Sequence, residues 1–209
     1  MRVYLAGPEV FLKNAREVLA SKKVVCQAYG ILGVSPFDAE IRDIRNDRET
    51  ALRIYQANEV LIDGCDAVIA NTTPFRGQNV DVGTAIEIGY ARARGKRIYA
   101  YTNTHETHVV RLTHRMYFGF TKMDGPLIRE AFWHSSIDDF EMTDNLMVDG
   151  SVLGSGGKVI ATPASSSEWP QQLIDLTGFR KCVADLSRSL ANGRKSLDPG
   201  VSSDAGKAP

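Results

Sequence analysis

Cysteine is scarce in this chain of 209 residues: Cys26, Cys65 and Cys182 are odd in number and far apart. That excludes a disulfide framework and a zinc-type spacing, and fits reduced, buried thiols. An excess of charge is missing too. The 25 Lys and Arg balance 25 Asp and Glu, so no global field draws the chain to nucleic acid or to an acidic membrane surface. No run approaches the ~18 uninterrupted apolar residues of a transmembrane helix. The opening Met1-Arg-Val-Tyr-Leu-Ala6 reads as a strand without the apolar region of a signal peptide, so a cytoplasmic protein is expected. Internal repeats are absent. The pair His105-x-x-His108 has no Cys or carboxylate partner at telling spacing, so neither a metal nor another cofactor is expected. What remains is one ordinary domain with a substantial core, expected over residues 1–190. The Gly-, Ser-, Pro- and Asp-rich tail, 191–209, is expected to be disordered.

Hydrophobic periodicity gives the order of elements. Strands are expected at 2–6, 32–36, 67–71 and 97–102, and a last one at 158–161. Helices are expected at 11–28, 48–63 and 81–94, with a closing helix at 169–190. Leu12, Ala15, Val18, Leu19 and Val25 mark the buried face of the first helix, and Leu52, Ile54, Tyr55, Val60 and Leu61 that of the second. Residues 151–157, rich in Gly and Ser, read as a flexible loop. The alternation of strand and helix implies an α/β fold: a doubly wound, flavodoxin-like parallel sheet of five strands with flanking helices. In such a sheet the first and third strands adjoin at the switch point, and ligands bind beyond their C-terminal ends. The loops Gly7-Pro8-Glu9 and 72–78 would converge there.

Glu87 stands out at that place. It lies in Asp81-Val-Gly-Thr-Ala-Ile-Glu87-Ile-Gly-Tyr-Ala, on a helix just past the third strand. Gly83 and Thr84, four and three residues earlier on the same face, leave open space above the carboxylate. Its neighbours Ile86, Ile88 and Gly89 belong to a packed helix, which disfavours pairing with Arg92 or Arg94 on a solvated surface. A carboxylate in that setting suits a nucleophile. Asp81 is six residues away and on another helix face. It shares a cavity with Glu87 only from the loop or the N-cap, and an N-cap is also its ordinary structural role.

Five segments in register, Val3-Tyr-Leu-Ala-Gly-Pro-Glu-Val-Phe11, Cys65-Asp-Ala-Val-Ile-Ala-Asn71, Pro74-Phe-Arg-Gly77, Asp81 to Ala91 and Asp144-Asn-Leu-Met147, resemble the nucleoside 2-deoxyribosyltransferases. The resemblance runs from residue 1 to about 148. It implies retaining transfer of 2-deoxyribose between nucleobases, with a deoxyribonucleoside and a free base as partners and a place in nucleoside salvage. On that analogy Glu87 attacks C1′, Tyr4 orients it, Asp81 meets sugar hydroxyls, and Asp66 manages protons at the base. Gly7 and Gly83 would leave room for the substrate; Phe11, Phe37 and Phe75 would form an apolar base site, with Asp38 and Arg76 reading polar base atoms. The resemblance assigns Asn145, at the 5′-hydroxyl, and Met147 to a site on an adjacent subunit, which implies a homo-oligomer. Each residue also has a plain structural alternative: Tyr4 as a strand aromatic, Asp66 as a local cap or pair, the phenylalanines as core, and Asn145 as a helix cap. Two functional alternatives stay open. One is an N-glycosidase acting on nucleosides or their monophosphates through the same glutamate, disfavoured because Pro8 removes an N–H and Glu9 adds an acidic residue where phosphate would bind. The other is a nucleotide sensor without catalysis, which fold alone does not exclude.

Overall fold

The computed structural model describes residues 1–164 and 168–195, with side chains through Ser189. In chain order the elements are β1 (Arg2–Ala6), α1 (Ala15–Gln27), β2 (Leu32–Val34), α2 (Arg48–Asp63), β3 (Ala67–Asn71), α3 (Val82–Ala93) and β4 (Arg97–Thr102). These are followed by α4 (His108–Arg111), β5 (Thr121–Asp124), β6 (Leu127–Glu130), β7 (Ser136–Ile137), α5 (Leu146–Gly154), β8 (Val159–Ala161), α6 (Gln171–Ile174) and α7 (Thr177–Lys195). The main sheet is parallel and five-stranded, in the order β2-β1-β3-β4-β8. This is the expected flavodoxin-like arrangement, with β1 and β3 adjacent and paired from Val3↔Ala67 to Ala6↔Ala70.

Alternation along β1 feeds two cores. Val3 and Leu5 pack on one face with Val25 and Cys26 of α1 and Phe179, Cys182, Val183 and Leu186 of α7. Tyr4 and Ala6 face the other side, with Ile62 of α2, Ile88 and Ala91 of α3, and Val148 and Val152 of α5. Each fully buried Leu, Ile or Val contributes roughly 1.5–3 kcal/mol, so the sheet is the rigid support of the site. All five residues of β3 are buried, as expected for a strand covered on both faces. The three cysteines are free and buried.

Helix ends follow local chemistry. Asp47 caps α2, accepting from the Thr50 amide at 2.8 Å. Gly95, with φ 70°, supplies the left-handed turn after α3. The first helix starts later than its periodicity predicts, because Pro8–Phe11 forms a separate 3-10 turn before Ala15. The second strand stops at Val34, where Ser35 and Asp38 close a capping box around Pro36–Asp38.

Larger departures come after Thr102. Residues 121–137, which show no clear period, form an antiparallel sheet of three short strands, β5-β6-β7. The stretch 151–157 is not a free loop: α5 runs through it to Gly154 because Val148, Asp149 and Val152 are buried. Gly157 allows the following turn, since a Cβ there would lie 1.6 Å from the Ile98 carbonyl oxygen. The closing helix is divided in two at Asp175, and its second part continues to Lys195. The remainder of the expected tail lies outside the described residues. Most of the apolar face expected on α2 is not covered by this chain: Leu52, Tyr55 and Val60 are 51%, 51% and 70% exposed, while Leu61 packs against the core. Among the described residues no helix is long and apolar enough to cross a membrane.

Candidate active site

Glu87 projects from α3 beside Tyr4 in the centre of β1. The Tyr4 hydroxyl donates to Glu87 Oε1 at 2.6 Å, and Tyr4 itself has no solvent exposure. Burial is the main influence on the Glu87 carboxyl and raises it. The Tyr4 hydrogen bond opposes that rise, while the carboxylates of Asp81 and Glu9 add to it, leaving Glu87 pushed up to about 7. Tyr4 is raised well above its ordinary value, by burial first and then by the adjoining Glu87 charge. The pair therefore consists of a phenol that keeps its proton and a carboxylate that titrates near neutrality.

Asp81 is the N-cap of α3. Its Oδ2 accepts from the Thr84 amide at 3.0 Å and from the Thr84 hydroxyl at 3.2 Å. As a cap it stands before the helix proper, which lets it share one cavity with Glu87 despite the six-residue spacing. Gly83 keeps this arrangement open: a Cβ there would approach Asp81 Oδ2 to 3.0 Å.

The cavity has a volume of about 420 Å³. Glu87, Asp81, Thr84 and Gly83 line the α3 side, Gly7 comes from the end of β1, and Phe11 and Phe37 come from the two 3-10 turns. Gly7 has no substitute, because a Cβ would meet Glu9 Oε2 at 2.0 Å and the Asn71 Cβ at 2.9 Å. Phe11 stacks on the buried Phe75 with centroids 5.3 Å apart and planes at 15°. Phe75 thus supports the cavity wall from behind. A second cavity of about 360 Å³ adjoins the first between α2 and α3, sharing Ile54, Asn58, Gly83 and Glu87 with it.

Several residues singled out in the sequence lie elsewhere. Asp66 precedes β3 at the opposite end of the sheet and accepts from the Arg2 backbone amide at 2.7 Å, the local pairing that was its structural alternative. Asp38 is held by Lys23 and by the Ser35 amide, outside the cavity lining. Arg76 lies over Phe11 and Phe75, at 4.6 and 4.7 Å from their centroids, and lines a separate depression with Arg111, Arg115 and Trp169. Asn145 caps α5 by accepting from the Met147 amide at 3.0 Å, and neither residue lines the cavity of its own chain. Glu9 is also not presented to a ligand. It is buried in an ion pair with Lys22 and accepts from Asn71 at 2.9 Å and Tyr101 at 3.0 Å. It is thus tied up inside the protein and does not line the cavity.

Other lining residues were not singled out from the sequence, namely Arg16, Ile41, Ile44 and Asn58, and Ile54 was read only as part of the buried face of α2. Ile41 and Ile44 did leave a signal, two isolated isoleucines in the otherwise polar stretch 40–47. Arg16 left none, being one more cation on a helix surface. Arg111 reads as loop polarity in sequence, but it is buried and donates to the carbonyls of Gln78, Glu106 and Thr143 at 2.9, 2.7 and 2.6 Å. It ties the loop after β3 to the segment that leads into Asn145.

The tyrosine-bound glutamate and its cavity lie beyond the C-terminal ends of β1 and β3, at the switch point where doubly wound sheets bind small molecules. Residues 3–147 match the model of the family described as nucleoside 2-deoxyribosyltransferase, and the chain belongs to that family. A protein of Schizosaccharomyces pombe (strain 972 / ATCC 24843), uncharacterized protein C191.05c, is 32% identical over 202 residues, covering 90% of this chain and 89% of its own. Among solved structures, a 2-desoxiribosyltransferase from Leishmania mexicana is similar at 28% identity and a TM-score of 0.52, over 70% of this chain and 84% of that one. A 2-deoxyribosyltransferase from Bacillus psychrosaccharolyticus is similar at 20% identity and a TM-score of 0.43, over 51% of this chain and 75% of that one.

Proposed function

We propose that this chain transfers 2-deoxyribose from one nucleobase to another by a retaining double displacement, with Glu87 as the nucleophile. The observation that carries the reading is the 2.6 Å hydrogen bond from Tyr4 to Glu87 in the wall of an apolar cavity. It engages Oε1 and leaves Oε2 for the reacting carbon. In the first half-reaction Oε2 bonds to C1′ while the N-glycosidic bond breaks, its electron pair leaving with the base nitrogen, which takes up a proton from water. In the second, the nitrogen of an incoming base gives up its proton to water and attacks C1′ from the opposite face. The glutamyl ester bond then breaks and the carboxylate is restored. Two inversions give net retention.

The environment suits these steps. A desolvated carboxylate stabilises the oxocarbenium-like transition state more strongly than a hydrated one, and a group titrating near 7 is available as the anion at neutral pH. Asp81, fixed by two bonds to Thr84, serves the sugar hydroxyls. Phe11 and Phe37 flank the base. Asp66, engaged with the Arg2 amide, takes no part in this scheme.

The chain acts as a homo-oligomer in this reading, with Asn145 and Met147 lent to a neighbouring site. Support comes from the apolar surface around the Glu87 cavity, where Val82 and Ile86 of α3 are 76% and 62% exposed beside the uncovered face of α2. Met147 is 70% exposed on α5.

The test is incubation of deoxyinosine with adenine or cytosine and chromatography of the products. A new deoxynucleoside is the expected result. Free base and sugar alone would mean that water replaces the second base and the chain is an N-glycosidase, and no turnover would leave only binding.

A further inference from the structure

Arg16 is the charged group in the cavity for which the displacement mechanism has no use. It stands in the first turn of α1, and its guanidinium lies 5.0 Å from the centroid of the Phe37 ring, both residues lining the cavity. Among the described residues it makes no hydrogen bond and no ion pair. Its helix neighbours differ: Lys22 is paired with Glu9, and Lys23 with Asp38. Phe37 therefore gives Arg16 a face to rest on without consuming any of its donors.

The position of Arg16 relative to Glu87 follows from the order of the sheet. Glu87 approaches from α3, on the β3 side; Gly7 ends β1 in the middle; Phe37 and Arg16 close the cavity at the β2 edge. Displacement at C1′ with inversion requires the departing base on the face opposite the attacking oxygen. A nucleoside attacked by Glu87 thus directs its base away from α3, between Phe11 and Phe37 and toward Arg16.

From this, and resting on the transfer reading above, we infer that Arg16 is a specificity-determining residue that reads the base through acceptor atoms alone. The guanidinium has five donors and no acceptor. Its planar fork matches two neighbouring acceptors, such as O6 and N7 of a 6-oxopurine. The exocyclic amino group of adenine, a donor, would face other donors and lose that pairing. The favoured substrate class is therefore the 6-oxopurine deoxynucleosides and their bases, over 6-aminopurines.

The experiment compares deoxyinosine and deoxyadenosine as donors to one common acceptor, cytosine, for the wild-type protein, Arg16→Met and Arg16→Lys. The wild type is expected to have the higher kcat/KM for deoxyinosine. In Arg16→Met the deoxyinosine-to-deoxyadenosine ratio should fall by about tenfold or more, the value of a charge-assisted hydrogen bond, and Arg16→Lys should restore part of it. Binding of free hypoxanthine and adenine by calorimetry is measured on the same proteins, so that the base preference is read even if no sugar is transferred. Inactivity of the wild type together with an Arg16-dependent preference for hypoxanthine would overturn the transfer reading and keep this one. Equal losses for both donors, a wild-type preference for deoxyadenosine, or binding of the two bases unaffected by Arg16→Met would overturn the role of Arg16. A third donor, deoxyinosine 5′-monophosphate, covers the other chemistry open to a free guanidinium. If Arg16→Met impairs the monophosphate more than the nucleoside, Arg16 grips phosphate and the base assignment is wrong.

Discussion

The half of the chain up to Thr102 and the segment from β5 to α5 are built differently around the same site. In the first, four parallel strands bring Gly7, Asp81 and Glu87 into one cavity, with Asp81 fixed as a helix cap and Glu87 held from the sheet by the buried Tyr4. In the second, short antiparallel strands and buried ties through Arg111 and Asp144 position Asn145 outside that cavity. Arg111 bonds backbone carbonyls of both regions, so the segment is held firmly even though it does not line the Glu87 cavity of its own chain. The difference teaches that rigidity and proximity are separate requirements. Under the proposed function Glu87 needs both within one chain, whereas a group lent to a neighbouring subunit needs rigidity and an exposed position.

The largest effect should come from breaking the first region. Glu87→Ala is expected to lower transfer by on the order of 10⁴-fold or more while leaving the fold unchanged by circular dichroism. Intact-mass analysis of the wild type given a deoxynucleoside and no acceptor should find a deoxyribosyl adduct on Glu87. An adduct on another residue would remove Glu87 from its role.

The second region is tested by mixing. Asn145→Ala alone should be severely impaired, and so should Glu87→Ala. Co-expressed, the two variants form mixed oligomers in which some sites have both groups intact, so activity should return in proportion to the mixed population. If subunit exchange is verified and no activity returns, Asn145 acts within its own chain or not at all.

A smaller loss is expected from Tyr4→Phe. A hydrogen bond to a charged group is worth about 1.5–3 kcal/mol, so kcat at neutral pH should fall roughly 10- to 100-fold. Wild-type kcat/KM should rise with pH through about 7 as Glu87 ionises. Because the Tyr4 bond lowers the Glu87 pKa, its removal should move that midpoint upward. A profile with an unchanged midpoint would show that the hydroxyl does not act on the carboxylate.

The last expected effect is on stability, with no change of rate involved. The folded protein holds the Glu87 proton more tightly than the unfolded chain, with values of about 7 and 4.5. The contribution of Glu87 to stability therefore falls as pH rises from 4.5 to 7, and the penalty is fully present above 7. Glu87→Gln removes it and should be more stable than the wild type at pH 8 by on the order of 2–3 kcal/mol. Chemical denaturation at pH 8 and pH 4 should show that gap closing in acid, and a constant difference would mean that burial does not act on this carboxyl.

These regions also differ in how far they could be read before any coordinates. The bounds of α2, β3 and β4 follow from the residues: Asp47 caps the helix, β3 is an apolar run closed by Asn71, and β4 has alternating character between Arg97 and Thr102. Beyond Thr102 the same reading fails for physical reasons. Strands β5 and β6 are four-residue pieces too short to show a period of two: β5 is largely exposed with Lys122 and Asp124, and β6 ends in a buried charged residue, Glu130, where the pattern would call for an apolar one. Helix α5 contains Gly150 and Gly154, and packing of Val148 and Val152 overrides their weak propensity.

By itself, then, the sequence determined the order of strands and helices up to Thr102, the parallel sheet, the family motifs and the place of Glu87 on a helix beyond β3. It could do so because those features depend on local periodicity and capping, which act over a few residues. Only the tertiary structure decided that Asp66 lies at the far end of the sheet, that Glu9 is neutralised by Lys22, and that Arg16 meets Phe37 in the cavity wall. Asp66 is set apart by strand register, and the other two arrangements arise where the turns after β1 and β2 pack against α1, a relation between distant elements that no local pattern encodes.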